Sequence, residues 1–255
     1  MEGLLLTGSV ALVTAGSSGI GSAVCRALAL HGSSVAVHYR SDRRGAVALS
    51  QELRSMGRRS VAVYADLLKE HEVIAMVAEA QEALGDINLL VNNASVFLPP
   101  APVETVPWED MQAEFEGSVR TAFHVTQAVL PGMLTARDGV IVNIIGTMTE
   151  RPATGYAAHI AGKGALQALT LAMAKELAPR GVSVHAVSPG LTLTPNVLAT
   201  TPDDVRESIR SRTPTRRLTT PDDLAGLVVF LASDLARSAT GLRLHGDGGL
   251  AELGG

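Results

Sequence analysis

Tyr156, His159 and Lys163 recur at intervals of three and four in the run Gly155-Tyr156-Ala157-Ala158-His159-Ile160-Ala161-Gly162-Lys163-Gly164. On a helix this spacing sets the three side chains on one face. Imidazole titrates closest to neutral pH, so it can give or take a proton during a reaction. A lysine one turn away supplies a cation, and a nearby ammonium favours the uncharged ring. Tyr156 adds a hydroxyl, but it stands two turns, roughly 10 Å of helical rise, from Lys163. That distance suits it better to lining a substrate pocket than to acting through the lysine.

A second constellation is the run Thr14-Ala15-Gly16-Ser17-Ser18-Gly19-Ile20-Gly21, which follows an apolar stretch and opens a helical pattern. Glycines at such a turn let backbone N–H groups approach a pyrophosphate at the positive end of a helix dipole. The backbone of Gly16, Ser18, Gly19, Ile20 and Gly21 is therefore expected to hold a dinucleotide. The next apolar stretch ends Val37-His38-Tyr39-Arg40-Ser41, with no carboxylate before Asp42. A carboxylate there would favour a ribose 2′-hydroxyl, whereas Arg40 offers a fork and Ser41 a hydroxyl to a 2′-phosphate. NADP(H) is expected over NAD(H).

The elements that must position these groups are legible as short apolar runs alternating with amphipathic ones. Strands are expected at 10–14, 34–39, 60–64, 89–92, 140–145, 183–187 and 242–245. Helices are expected near 20–31, 45–56, 69–84, 108–134, 155–179 and 221–233. Runs rich in valine, isoleucine and leucine suit strands buried on both faces, and strand–helix alternation implies parallel pairing with right-handed crossovers. The expectation is one α/β domain over 1–255, a Rossmann-type doubly wound parallel sheet of seven strands flanked by helices. Residues 191–213 carry no sheet periodicity and are expected to form a lid over the site.

Composition removes other classes. The net charge of −4 argues against a nucleic-acid partner. No apolar run approaches the length of a membrane span, and no leader pattern opens the chain, so a cytoplasmic protein is expected. The lone Cys25 falls in a helical pattern as a small packed group. No metal is expected.

The ordered motifs resemble the short-chain dehydrogenase/reductase family over nearly the whole chain. The glycine-rich loop departs from the family's pattern where Ala15 stands for the first glycine, a change that the neighbouring Gly16 is expected to absorb. Asp66-Leu67 resembles the adenine contact, and Asn92-Asn93-Ala94 resembles the family's motif after the fourth strand, with Ser95 in place of glycine. Pro189-Gly190 and Thr194 resemble the segment against the nicotinamide. The resemblance implies cofactor contacts from Asp66, Leu67, Asn93, Ala94, Pro189, Gly190, Thr194 and Lys163, the last on the nicotinamide ribose. It also implies a homotetramer or homodimer built on the helices near 108–134 and 155–179. At the family's tyrosine position stands His159, at its serine Gly146 with Thr147 adjacent, and at its asparagine Ser118. His159, Lys163, Thr147, Ser118 and Tyr156 are thus the catalytic candidates.

Asn92-Asn93-Ala94-Ser95-Val96-Phe97 and the run 143–166 are similar to pteridine reductases in particular. That likeness implies a flat or cyclic substrate on Ser95, Phe97 and Tyr156, with Phe97 as a stacking platform. The reading that follows is an atypical NADP(H)-dependent reductase of an imine or conjugated carbonyl. Two others stay open: a non-redox isomerase, dehydratase or cyclase with His159 as base, and a catalytically silent NADP-binding partner protein.

Overall fold

Alternation along each strand decides which of two helical layers a side chain enters. In β1 (Val10–Val13), Ala11 and Val13 pack with Val24, Leu28, Val35 and Val37, while Val10 and Leu12 pack with Met76, Val77 and Ile141. Such strands need apolar residues at every position, which is why they read as unbroken runs. The computed structural model describes residues 4–96 and 98–253. The remaining strands are β2 (Ser34–Tyr39), β3 (Ser60–Tyr64), β4 (Leu89–Asn92), β5 (Gly139–Ile144), β6 (Val182–Pro189) and β7 (Arg243–Gly246). They form one parallel sheet in the order β3-β2-β1-β4-β5-β6-β7. The sequence strands agree to within two residues at every end.

Helices α1 (Gly19–Leu30) and α2 (Arg43–Ser55) cover one face and α3 (Glu70–Leu84) the other. Leu12, Leu28, Leu53 and Leu90 are fully buried between layers, each contributing about 2 kcal/mol by its removal from water. The order of strands reverses between β1 and β4, and a crevice opens beyond the carboxyl ends of strands at such a reversal.

The expected helix at 108–134 is not continuous. It comprises α4 (Trp108–Phe115), a π-helical turn at Glu116–Arg120, and α5 (Thr121–Ala136). The wide turn falls where Gly117 meets Val96: a Cβ on Gly117 would lie 2.6 Å from Val96 Cγ2. The hydroxyl of Thr121 also bonds back to the Gly117 carbonyl at 2.8 Å. The helix expected from 155 starts two residues later, as α6 (Ala157–Leu177), because Gly155 takes φ +87° and Tyr156 is the N-cap. Within 191–213 lie two helices, α7 (Pro195–Thr200) and α8 (Asp203–Arg212). A capping box between Thr220 and Asp223 opens α9 (Pro221–Ala232), and the short α10 (Leu250–Leu253) follows β7. Among the described residues no helix is long and apolar enough to cross a membrane.

Candidate active site

The crevice is built around Thr14, at the end of β1. Its hydroxyl donates to the Val91 carbonyl at 3.3 Å and accepts from the N–H groups of Asn93 and Ala94, both at 2.9 Å. The Asn93 amide returns to the carbonyls of Thr14 (3.0 Å) and Ala15 (3.2 Å). These bonds tie the loops after β1 and β4 together across the strand-order reversal. Gly21 makes the approach feasible, since a Cβ there would stand 2.2 Å from the Ala15 carbonyl oxygen.

One expectation about this loop is corrected. The left-handed residue is Ala15 itself, at φ +49°, and not Gly16. Alanine pays about 1 kcal/mol there relative to glycine. Gly16 is required for space, because its Cβ would lie 3.0 Å from the Val13 carbonyl and 3.1 Å from Val37 Cγ1. Ala15 is held in place by its N–H, which donates to Nδ1 of the buried His38 at 2.9 Å. The other ring nitrogen of His38 then donates to the Ala65 carbonyl at 3.1 Å, which fixes a neutral tautomer. Burial lowers the His38 pKa to about 4, in keeping with that assignment.

The loop fits an anion. Ser18 is the N-cap of α1 yet makes no side-chain bond to the first turn, and that turn carries no acidic residue. Its N–H groups and the positive end of the helix dipole are thus directed at whatever occupies the crevice. Gly19, at φ +54°, lies under Thr194, whose Cγ2 is 3.3 Å from where a Cβ would stand. Ile20 packs against the core below. Thr194 also caps α7, accepting from the Val197 N–H at 3.2 Å.

On the far side of the loop, Arg40 and Ser41 are exposed just beyond β2. Asp42, the nearest carboxylate, is engaged as the cap of α2 and accepts from the Gly45 N–H at 2.9 Å. Asp66 is half-buried, its Oδ1 accepting from the Leu68 N–H at 3.2 Å. Leu67 is buried, and its carbonyl accepts from His124 Nδ1 at 2.9 Å. Past β6, the Gly190 N–H donates to the Gly246 carbonyl at 3.2 Å.

His159 and Lys163 lie one turn apart on α6. Lys163 is only 4% exposed, and its ammonium donates to the Ile144 carbonyl, at the end of β5, at 3.0 Å. Burial lowers its pKa to about 8, against the opposing pull of the Glu114 carboxylate. Glu114 is the residue that sequence reasoning missed. It is 1% exposed on α4, and its Oε2 stands 3.2 Å from His159 Nδ1 while its Oε1 accepts from the Leu98 N–H at 3.0 Å. The expectation of a ring facing an ammonium alone is therefore revised, because a buried carboxylate meets it directly. Gly162 permits the contact: a Cβ there would lie 2.6 Å from the Glu114 carbonyl oxygen, so α4 and α6 touch backbone to backbone.

The other candidates are distributed around this pair. Tyr156 lines a narrow cleft with His159, Glu114, Asp110 and Leu98. Thr147 is buried and donates to the Pro189 carbonyl at 3.3 Å, joining the ends of β5 and β6. A Cβ on the neighbouring Gly146 would meet nothing within 4 Å, so packing does not demand glycine there. Ser118 is wholly buried in the π turn, and its hydroxyl has no hydrogen-bond partner among the described residues. The Ser95 hydroxyl, exposed, donates to the Val96 carbonyl at 2.9 Å. Phe97 lies outside the described residues.

A family model described as enoyl-(acyl carrier protein) reductase matches residues 14–251. The chain is 34% identical over 242 residues to 3-oxoacyl-[acyl-carrier-protein] reductase of Staphylococcus epidermidis, covering 94% of this chain and 98% of that one. Among solved structures it resembles a gluconate 5-dehydrogenase of Burkholderia cenocepacia in complex with NADP and tartrate. That match has a TM-score of 0.91 and 29% identity, over 98% of both chains. It also resembles 3-ketoacyl-(acyl-carrier-protein) reductase of Brucella melitensis complexed with NADH. Here the TM-score is 0.89 and the identity 34%, over 96% of this chain and 99% of that one.

Proposed function

The chain belongs to the short-chain dehydrogenase/reductase family of oxidoreductases, and from that premise we propose that it is an NADP(H)-dependent reductase of a small carbonyl or imine compound. The observation that carries the reading is the pair His159 and Lys163, one turn apart on α6, where Lys163 reaches the carboxyl end of β5. A nicotinamide bound there supplies a hydride. Lys163 holds the ribose next to that ring, and His159 delivers the proton that the reduced heteroatom requires. Gly16, Ser18, Gly19, Ile20 and Gly21 hold the pyrophosphate, with Asn93, Ala94, Pro189, Gly190 and Thr194 along the rest of the dinucleotide.

The substrate we favour is flat or cyclic. Supporting this is the likeness of residues 92–97 and 143–166 to pteridine reductases, with Tyr156 beside His159. Residues 191–213 act as a lid in this reading, a role supported by Thr194, which lies over Gly19 of the phosphate loop. We further propose a homotetramer or homodimer through α4, α5 and α6, where Phe115, Phe123 and Leu171 are exposed. Proton shuffling by His159 without hydride transfer is the competing reading, and the Glu114–His159 contact is what favours it.

The choice of dinucleotide rests on Arg40. Arg40→Ala should weaken NADPH binding by about 10- to 100-fold, the worth of a charge-assisted contact, and leave NADH binding within two-fold or so. Titration of the nicotinamide fluorescence checks this. Equal losses for both dinucleotides, or none for either, would remove Arg40 from cofactor selection.

A further inference from the structure

Glu114 is a buried carboxylate that the reductase reading does not itself require, on a helix whose other residues are not buried. Its two oxygens are divided. Oε1 accepts the Leu98 N–H from the loop after β4, and Oε2 meets Nδ1 of His159, which is itself 13% exposed. With one oxygen committed to a backbone donor, the other meets the ring as an acceptor, so Nδ1 carries a hydrogen. We propose that Glu114 is a positioning residue that fixes His159 as the Nδ1–H tautomer, leaving Nε2 as the atom that exchanges a proton with the substrate.

This rests on His159 as the proton-transfer group and says how it is readied. Hydride addition at the substrate carbon moves the C=O or C=N electron pair onto the heteroatom. A solvent proton on Nε2 first makes the ring imidazolium; the heteroatom's pair bonds that proton, the N–H electrons remain on the ring, and neutral imidazole is left with its Nδ1–H on Glu114. A solvent proton reloads Nε2. Carboxylates set histidine tautomers in this manner in hydrolytic triads and around metal ligands. Among the described residues, the titratable groups around this ring include Glu114 and Asp110 from α4, with Tyr156 and Lys163 from its own segment. The dyad also couples substrate loop to chemistry, because one carboxylate holds both Leu98 and the ring.

Glu114→Gln is the decisive variant. Its carbonyl can keep the Leu98 N–H, which turns the NH2 group toward Nδ1 and forces the ring hydrogen onto Nε2. In the 15N-histidine-labelled protein, with the His159 signals identified by their loss in His159→Gln, the parent should show the Nδ1–H tautomer and Glu114→Gln the Nε2–H tautomer. Turnover should fall about 100-fold in kcat with KM little changed, and Glu114→Asp should restore part of it. A parent ring already in the Nε2–H form overturns the proposal, even if the Gln variant does not fold. So does a Gln variant with parental 15N shifts and parental kcat. A fully active His159→Gln would instead overturn the underlying reading of the site.

Discussion

Lys163→Met is expected to give a protein that is more heat-stable than the parent and far less active. The ammonium is buried, its pKa is lowered to about 8 by desolvation, and one carbonyl is its hydrogen-bonded partner. A base whose folded pKa lies below its unfolded value binds its proton more weakly in the fold, so below pH 8 the fold carries the full cost of the buried charge. That cost is relieved as the pH rises from 8 toward the unfolded value of about 10.4. Methionine fills a similar volume without the charge. After the loss of the bond to Ile144 is deducted, the gain should be about 2 kcal/mol at pH 7, or roughly 5 °C in Tm. The gap between variant and parent should narrow between pH 8 and 10.5, with both proteins measured without dinucleotide. In kcat/KM the variant should lose at least about 100-fold, since the ribose loses a charged donor. Calorimetry over this pH range checks the first part, and a variant less stable than the parent at pH 7 would contradict it.

Gly21→Ala should be as damaging as Lys163→Met is stabilising. The added methyl would stand 2.2 Å from the Ala15 carbonyl oxygen and 2.7 Å from the Asn93 amide, and neither neighbour is free to retreat. Ala15 is held by His38, and Asn93 by two carbonyls of the same loop. Relaxation must therefore open the staple between the loops after β1 and β4, at a cost of about 1–3 kcal/mol for overpacking. Dinucleotide affinity should fall below detection in a fluorescence titration, because the N–H groups of the loop move with it. Gly226→Ala in α9 is the control: its Cβ meets nothing within 4 Å, and removing a helical glycine should stabilise by up to about 1 kcal/mol. If Gly21→Ala bound NADPH like the parent, the loop would not be the pyrophosphate cradle.

The fold was legible because strands buried on both faces are written as continuous apolar runs, and every one of the seven appears within two residues of its expected place. The π turn at 116–120 was not, since its cause is the approach of Val96 to Gly117 across a loop. The glycine-rich loop was legible in outline, but the sequence placed the flexible turn at Gly16. Only the dihedrals and the bond that the Ala15 N–H donates to His38 show that Ala15 carries it. His159 and Lys163 were singled out by their helical spacing together with the resemblance to the family's tyrosine–lysine pair. Glu114 was not, because it lies 45 residues from His159 and reaches it through a backbone contact that depends on Gly162. A carboxylate inside an amphipathic pattern reads as a solvated charge until the partner helix is in place.

His159 is proposed to deliver the proton for a hydride transfer. The test is reduction of a cyclic imine and a conjugated ketone with NADPH carrying deuterium at both C4 positions of the nicotinamide, by the parent and by His159→Ala. One deuterium is expected on the product carbon, and a rate about 100- to 10,000-fold lower in the variant, in line with loss of a general acid. Turnover with no deuterium in the product, or a variant as fast as the parent, would contradict it.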